Sequence, residues 1–249
     1  SISTYVPTTR QHGILNGKLG FTAEREKLHK TIINEMMVDV PSVPKDQKPV
    51  AVIIIGGAAS GKSTLKDALL PDKNFVNLES NEIKAKLPEY QQALKEGKSE
   101  AALIVHDESL KVNKQLLKAS IKEKKNLAYD GTGANIAFYK DMIKTLKSNG
   151  YEVNILLAST DQQVALDRAR TRQEKTGRMV PDEAVIASNA AAKKNFLPLA
   201  DLADNWAIYD MGGSKPVLKW TKTGEAEPEV KDEQFVRNYL VDSGHTNRL

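Results

Sequence analysis

A glycine-rich segment, residues 55–63 (IGGAASGKS), carries the clearest chemistry in the chain. Gly56, Gly61, Lys62 and Ser63 match the pattern G-x-x-x-x-G-K-[ST], and an aliphatic run at residues 50–55 comes directly before the loop. Small residues let backbone N–H groups approach phosphate oxygens, and the start of a following helix adds positive potential. The segment therefore predicts a loop that binds the phosphates of a nucleotide.

Each polar side chain of this loop has an expected task. The Lys62 ammonium would reach the β and γ phosphates, and the Ser63 hydroxyl would bind a Mg²⁺ ion that bridges them. We therefore expect ATP and Mg²⁺ as cofactors, with Ser63 as the metal ligand. The residues predicted to bind ATP are Gly56, Gly57, Ala58, Ala59, Ser60, Gly61, Lys62, Ser63 and Thr64.

A second segment, residues 166–178, is rich in arginine. Arg168 and Arg172 are four residues apart and would share one face of a helix. Guanidinium groups placed over a γ-phosphoryl group neutralise the charge that spreads over its oxygens during transfer. The alternative is a solvated helix whose arginines form salt bridges with Asp167 and Glu174.

Composition fits a globular protein, and its mild positive charge suits a small anionic substrate as well as it suits a nucleic acid. The chain has 249 residues, of which 40% are hydrophobic and 27% charged, with a net charge of +4 and no cysteine. The lack of cysteine excludes disulfides and thiolate metal sites, and it suits a cytosolic location. The sequence shows no apolar run of membrane-spanning length and no signal peptide. We expect action in the cytoplasm, with a secreted or delivered effector as the alternative.

Short apolar strands alternate with helical segments along the chain. Strands are predicted at 50–55, 75–78, 127–129, 153–157 and 206–209, and helices at 22–37, 63–70, 81–87, 100–124, 138–147, 161–175 and 181–196. This alternation predicts an α/β fold of the P-loop NTPase or kinase type, with a mostly parallel sheet of about five strands and helices on both faces.

The remaining segments are less regular. Residues 1–20 read as irregular, and Pro88 is predicted to close the helix that starts at residue 81. We expect an N-terminal extension with the first helix at 1–47, a kinase core at 48–212 and a C-terminal appendage at 213–249, together forming one compact domain. The appendage shows a weak strand pattern at 217–221 and a helix near 232–241.

The phosphate loop leaves the use of the nucleotide open. A guanine-specific switch needs an N-K-x-D element, and the nearest string, residues 113–116 (NKQL), lacks the aspartate. An ATP-driven machine usually has an acidic residue that ends a second apolar strand, and Asp130 is such a residue. A kinase, an ATPase, a binding module without transfer and an RNA-acting enzyme therefore remain alternatives. Few aromatic residues lie among the basic runs, which disfavours the RNA-acting enzyme.

Several segments, in their order and spacing, resemble the zeta toxin family of P-loop kinases from bacterial toxin–antitoxin systems. After the phosphate loop come residues 80–90 (SNEIKAKLPEY), a long helix beginning at residues 106–109 (HDES), residues 130–133 (DGTG), and Arg172 followed by residues 177–181 (GRMVP). The resemblance covers roughly residues 22–210. The DGTG and GRMVP segments are more specific than the phosphate loop, which many families share.

The resemblance implies a reaction and a set of roles. The family transfers the γ-phosphate of ATP to the 3′-hydroxyl of UDP-N-acetylglucosamine, which blocks cell-wall synthesis. Lys62, Arg172 and Arg178 would surround the phosphates as catalytic residues. The residues implied to bind the substrate are Glu79, Asn81, Glu108, Asp130 and Thr132. An antitoxin or immunity protein is implied as a partner, whereas a membrane or a nucleic acid is not expected.

Three points of this assignment stay open. The acceptor could instead be NAD or a nucleoside, because related folds differ most at the acceptor pocket. Glu108 could equally be a first-turn residue favoured by the helix dipole. Residues 130–132 could be a turn with a helix N-cap.

Asn81 departs from the family pattern at a catalytic position. The family has an aspartate there, which orients the sugar hydroxyl and accepts its proton, whereas a carboxamide can form hydrogen bonds but cannot take a proton. The reaction could use Glu79 or Glu82 instead, or the chain could be a natural relative with little activity. A deliberate Asp→Asn change that makes a toxic protein safe to produce is the explanation we favour. An N-cap role for Asn81 is compatible with all three.

Overall fold

The structure is a computed structural model that describes residues 5–71 and 74–249. The chain divides into two compact units. The helical unit consists of Ser1–Ser42 and Val76–Lys125, and the sheet unit of Val43–Phe75 and Asn126–Leu249. Each unit joins segments that are far apart in the chain. The division at residues 47 and 212 that the sequence suggests stays a prediction.

The elements follow the predicted alternation. The strands are β1 (Val50–Ile55), β2 (Val76–Leu78), β3 (Leu127–Gly131), β4 (Glu152–Ser159), β5 (Asn205–Asp210), β6 (Val217–Thr223) and β7 (Glu229–Val230). The helices are α1 (Thr8–His12), α2 (Ala23–Met37), α3 (Lys62–Leu69), α4 (Ser80–Ala85), α5 (Pro88–Lys95), α6 (Ala101–Lys122), α7 (Ile136–Ser148), α8 (Gln162–Thr176), α9 (Asp182–Ala200) and α10 (Glu233–Asp242), and a 3₁₀ turn spans Thr246–Arg248.

The sheet unit is built on parallel strands. β1 lies between β3 and β4 and runs parallel to both, and β4 also pairs in parallel with β5. Ile53, Ile54 and Ile55 of β1 are fully buried, as expected of a central strand covered on both faces. The α/β fold with a mostly parallel sheet is therefore confirmed.

Two C-terminal strands extend this sheet. β6 runs antiparallel to β5, and β7 runs antiparallel to β6. Trp220 of β6 packs edge-to-face between Trp206 and Tyr239, so an aromatic cluster joins β5, β6 and α10. The sequence indicated β6 only weakly, because most of its residues are half-buried and show no strict alternation, and it did not predict β7, whose two residues are exposed.

Two corrections concern the helical unit. Residues 1–20, predicted to be irregular, contain the short helix α1, which carries buried Thr8 and Thr9. Pro88, predicted to close a helix, instead opens α5 as its first residue, where the missing proline N–H costs nothing. None of the helices within residues 5–71 and 74–249 combines the length and apolar character that a membrane crossing requires.

Candidate active site

The phosphate loop connects β1 to α3, as the sequence predicts. Gly61 immediately precedes α3 with a φ of 95°, a left-handed conformation in which glycine has no steric penalty. A Cβ on Gly56 would lie 2.4 Å from the Ser60 hydroxyl oxygen, so the turn has no room for a side chain there. The first N–H groups of α3 have no partners within the helix and lie next to the loop, which makes its end a site for an anion.

Lys62 lies between the loop and Asp130. Its Nζ donates hydrogen bonds to the backbone oxygens of Gly56 at 2.7 Å and Gly57 at 3.3 Å. The same Nζ is 3.7 Å from Oδ1 of Asp130, and the Nζ of Lys66 is 3.7 Å from Oδ2. The carboxylate assigned to the acceptor and the lysine assigned to the phosphates are thus close neighbours within the sheet unit.

The segment after β3 forms a tight turn that presents Thr132. Thr132 Oγ1 accepts a hydrogen bond from the backbone N–H of Ala134 at 3.2 Å. A Cβ on Gly131 would lie 2.0 Å from the Tyr139 hydroxyl oxygen, so only glycine fits. The N-cap of α7 is Asn135, whose Oδ1 accepts from Phe138 N at 3.2 Å. The capping alternative for residues 130–132 is therefore wrong.

The arginines of α8 have three different environments. Arg168 donates from Nη2 to the backbone oxygens of Met211 at 2.5 Å and Gly213 at 3.2 Å, so it holds the loop after β5. Arg170 is exposed and pairs with Asp182 at 3.0 Å and with Asp167 at 4.0 Å, as the solvated-helix alternative requires. Arg172 is exposed and lines a cavity of about 590 Å³ beside the phosphate loop.

Residues of two loops line this cavity. Gly61 and Thr64 line it on the side of the phosphate loop, and Met211 and Lys215 line it on the side of the loop after β5. Arg178 follows α8 beyond Gly177, which ends the helix with a φ of 70°. The Arg178 backbone N–H donates to Thr176 Oγ1 at 3.2 Å, and its side chain is exposed. The roles of Arg172 and Arg178 at the phosphates stay predictions.

Three polar side chains that the sequence did not single out hold the backbone of the phosphate loop. Thr160 Oγ1 donates to Ser60 O at 2.6 Å. Ser188 Oγ accepts from Ala58 N at 2.9 Å, and Asn189 Nδ2 donates to Ala58 O at 2.9 Å. These partners are 100 to 131 residues apart, and no local pattern in the sequence could reveal such contacts.

In the helical unit, Glu79 and Asn81 lie at the start of α4. Glu79 is the N-cap, and its Oε1 accepts from Asn81 N at 3.1 Å. Asn81 is therefore not the cap but lies inside the first turn, with its side chain exposed and its Oδ1 3.4 Å from Lys84 Nζ. Glu82 accepts a hydrogen bond from the Asn77 side chain. The catalytic role of Asn81 and the substrate role of Glu79 stay predictions.

Glu108 lies at the centre of a buried charge cluster of the helical unit. Arg25 donates to both of its oxygens at 2.7 Å, and His29 Nε2 is 2.7 Å from Oε2. Arg25 also binds both oxygens of Glu89, at 2.6 and 3.0 Å. Burial alone would raise the pKa of Glu108, but the hydrogen bonds from Arg25 and His29 outweigh it and hold the pKa at about 2.

The position of Glu108 corrects one expectation. The helix begins at Ala101, close to the predicted start at residue 100 and five residues before the HDES segment, so Glu108 is in its third turn and does not interact with the N-terminal dipole as a first-turn residue. Glu108 is completely buried, and both carboxylate oxygens already accept hydrogen bonds. Its predicted contact with the substrate stays a prediction.

The fold resembles those of several solved structures. The crystal structure of AvrRxo1-ORF1:AvrRxo1-ORF2 with sulphate ions matches with a TM-score of 0.75 at 13% identity, over 95% of this chain and 82% of that chain. The structure of the same pair with ATP matches equally well, with a TM-score of 0.75, 13% identity and the same coverage. The PezAT chromosomal toxin–antitoxin system of Streptococcus pneumoniae matches with a TM-score of 0.65 at 17% identity, over 92% of this chain and 96% of that chain. At these identities the matches establish the fold alone.

Sequence comparison adds the family. No curated protein sequence matches the chain. The family model described as Zeta toxin matches residues 33–221, which include the phosphate loop, the DGTG turn and the arginines of α8 and beyond. Because this match covers most of the chain and its predicted site, the chain belongs to the zeta toxin family of kinase-type phosphotransferases.

Proposed function

We propose that the chain is a kinase that transfers the γ-phosphate of ATP to a sugar-nucleotide hydroxyl, the 3′-hydroxyl of UDP-N-acetylglucosamine. The observation that carries this proposal is the position of Lys62 between the phosphate loop and Asp130. Its ammonium is 2.7 Å from Gly56 O and 3.7 Å from the Asp130 carboxylate. A group that binds phosphate thus lies beside a carboxylate able to bind a sugar hydroxyl, at the carboxyl end of parallel strands where ligands bind in this fold class.

The nucleotide would be held by the loop and by basic side chains. Backbone N–H groups at the start of α3 and the Lys62 ammonium would bind the β and γ phosphates. Arg172 and Arg178, exposed on and after α8, would neutralise charge on the transferring group. The Asp167–Arg170–Asp182 ion pairs occupy Arg170 instead, so we do not assign it to the phosphates.

The donor set fits a magnesium ion bound together with the nucleotide. Among the described residues no cluster of three or more His, Asp or Glu side chains could hold a metal by itself. Ser63, exposed in the first turn of α3, offers a hydroxyl oxygen, and Mg²⁺ in such sites takes most remaining ligands from phosphates and water. When bound, the ion would neutralise the phosphate oxygens.

At the acceptor, Asp130 and Thr132 would hydrogen-bond the sugar. The acceptor oxygen would attack the γ-phosphorus, the bond to the ADP oxygen would break, and the hydroxyl proton would pass to a carboxylate. Asn81 cannot take that proton. Glu79 and Glu82 already accept hydrogen bonds from Asn81 N and from Asn77, which makes them poor substitutes. We therefore expect little transfer by the chain as it stands.

The test restores the carboxylate. We expect Asn81→Asp to raise transfer by about 10²- to 10⁴-fold, the usual contribution of a positioned general base. The original chain and the Asn81→Asp variant are incubated with ATP, Mg²⁺ and either UDP-N-acetylglucosamine, NAD or a nucleoside, and phosphorylated acceptor is measured by mass spectrometry. Lys62→Ala combined with Asn81→Asp is the control without phosphate binding.

The outcomes separate the alternatives. Equal rates in the original chain and the Asn81→Asp variant would reject a base at position 81. Transfer to NAD or a nucleoside alone would keep the kinase and replace the acceptor. ATP binding without turnover in the Asn81→Asp variant would favour a nucleotide-binding module.

We also propose that the active form is toxic to bacteria and that an antitoxin or immunity protein blocks it. The family assignment supports this, and the similar PezAT structure belongs to a toxin–antitoxin system. Expression of the Asn81→Asp variant in bacteria should stop growth by arresting cell-wall synthesis, and Lys62→Ala should relieve the arrest. Growth arrest that persists with Lys62→Ala would contradict toxicity through phosphoryl transfer.

A further inference from the structure

Helix α9 touches both loops of the candidate site in the sheet unit. In the first half of the helix, Ser188 and Asn189 contact the phosphate loop. Asn195, seven residues after Ser188, contacts the turn that follows β3. Seven residues are two helical turns, so Ser188 and Asn195 lie on the same face of α9, about 10 Å apart. The roles assigned to the family motifs do not use any of these three residues.

The contact with the phosphate loop is close and specific. Ser188 and Asn189 together bind both the N–H and the carbonyl of Ala58, each at 2.9 Å. A Cβ on Gly57 would lie 2.3 Å from the backbone nitrogen of Asn189, so the loop rests directly on the helix backbone. Asn189 is only 5% exposed and also donates to Val185 O at 2.9 Å, which orients its amide. The helix therefore determines where this half of the loop lies.

The contact with the DGTG turn uses the same chemistry. Asn195 Nδ2 donates to Gly133 O at 2.8 Å and to Ala134 O at 3.3 Å. On its other side the turn is backed by β1, because a Cβ on Gly133 would lie 2.8 Å from Cγ2 of Ile55. The backbone that carries Asp130 and Thr132 is thus held between β1 and α9.

We propose that Asn189 and Asn195 are positioning residues, and that α9 acts as a rigid spacer between the phosphate loop and the DGTG turn. This inference rests on the proposed function, in which the two loops bind the donor and the acceptor. A transferring phosphoryl group and an attacking hydroxyl must be held about 3–3.5 Å apart, and small misplacements are costly in rate. One helix that hydrogen-bonds both loops would set this separation.

The test uses alanine at each end of the spacer and at a matched position away from both loops. Asn149 is the control, because its Nδ2 also donates to a backbone carbonyl, Thr145 O at 2.8 Å, at the end of α7. Affinity for a non-hydrolysable ATP analogue with Mg²⁺ is measured by calorimetry, and transfer is measured in the Asn81→Asp background. Asn189→Ala should weaken nucleotide binding about tenfold, the usual effect of a lost buried hydrogen bond.

Asn195→Ala should show the opposite pattern. Nucleotide affinity should stay within about twofold of that of the Asn81→Asp parent. The rate of transfer should fall about tenfold, because the lost hydrogen bonds hold the DGTG turn. Asn149→Ala should change neither quantity. The proposal is wrong if Asn189→Ala and Asn195→Ala change nucleotide affinity equally, or if no variant changes either affinity or transfer.

Amide hydrogen exchange separates this inference from the proposed function. Asn195→Ala should speed exchange at residues 131–134 and not at 56–60, and Asn189→Ala should do the reverse. If this exchange pattern is found but no variant transfers phosphate, the proposed reaction is rejected and the positioning of the two loops by α9 is supported. Faster exchange throughout the chain would show general destabilisation and would count against the spacer. If an alanine variant fails to fold, the serine variant at the same position replaces it.

Discussion

Two carboxylates, one in each unit, are each bound between two basic side chains, yet their geometry differs. Glu108 in the helical unit is completely buried and receives hydrogen bonds of 2.7 Å from Arg25 and His29. Asp130 in the sheet unit retains some exposure, and its lysine partners are 3.7 Å away. The first arrangement uses a planar guanidinium that fits a carboxylate in a fixed geometry, and the second uses ammonium groups on flexible stems.

The difference indicates what each cluster does. A buried ion pair whose members satisfy one another resists removal of either member, because the remaining charge would be left without a partner. Lysine ammonium groups at a longer distance can turn toward a phosphate without leaving a buried charge alone. We therefore expect the Glu108 cluster to contribute more to stability than the Asp130 group, whose proposed role is to contact a ligand. The following predictions test this contrast, beginning with the largest effect.

Removal of Glu108 should cost the most stability. Glu108→Ala leaves Arg25 with Glu89 alone, and breaking a buried pair typically costs about 3–5 kcal/mol. The free energy of unfolding is measured by urea denaturation and compared with that of Asp130→Ala, which we expect to lose less because both lysine partners of Asp130 are 3.7 Å away. Similar losses in the two variants would contradict the contrast.

Removal of Lys62 should have a large effect on function and little on stability. Lys62→Ala in the Asn81→Asp background should lower transfer by about 10²- to 10³-fold, comparable to the loss of one preorganised group that stabilises charge in a transition state. The free energy of unfolding should fall less than in Glu108→Ala, because Lys62 is partly exposed and its carboxylate partner is 3.7 Å away. A stability loss as large as that of Glu108→Ala would show that Lys62 is part of the structural framework.

Acid should destabilise the protein through Glu108. Its pKa is about 2 in the folded protein, below the value of about 4.3 expected in an unfolded chain. Its stabilising contribution, roughly 3 kcal/mol, is present above pH 5 and is lost as the pH falls toward 2, because protonation then favours the unfolded chain. Urea denaturation between pH 3 and 7 measures this slope, and Glu108→Gln should flatten it. An unchanged slope in that variant would assign the acid sensitivity to other groups.

Removal of an exposed ion pair should have the smallest effect. Arg170 pairs with Asp182 at 3.0 Å, and both side chains are about half exposed. Arg170→Ala should change the free energy of unfolding by about 0.2–1 kcal/mol, and added salt should reduce that difference. A larger loss that persists at high salt would show that Arg170 has a structural role comparable to that of Arg25.

Most of the fold follows from local patterns in the sequence. The strand VAVIII, the glycine loop and the start of α3 lie where the apolar run and the loop motif place them. Pro88 was misjudged because a proline can end one helix or open the next, and its sequence neighbours do not distinguish the two. β7 was missed because its two exposed residues have no apolar pattern.

Of the candidate site, the sequence by itself determined the phosphate loop and the turn after β3. Glycines with positive φ at residues 61 and 133 and small residues around Lys62 are local requirements, and a local motif can state them. Tertiary structure alone decided that Glu108 is buried with Arg25, that Arg168 holds the loop after β5 and that Asn189 and Asn195 hold two loops at once. These contacts join residues 43 to 131 positions apart. They depend on how helices pack against one another and against the loops, which no spacing along the chain encodes.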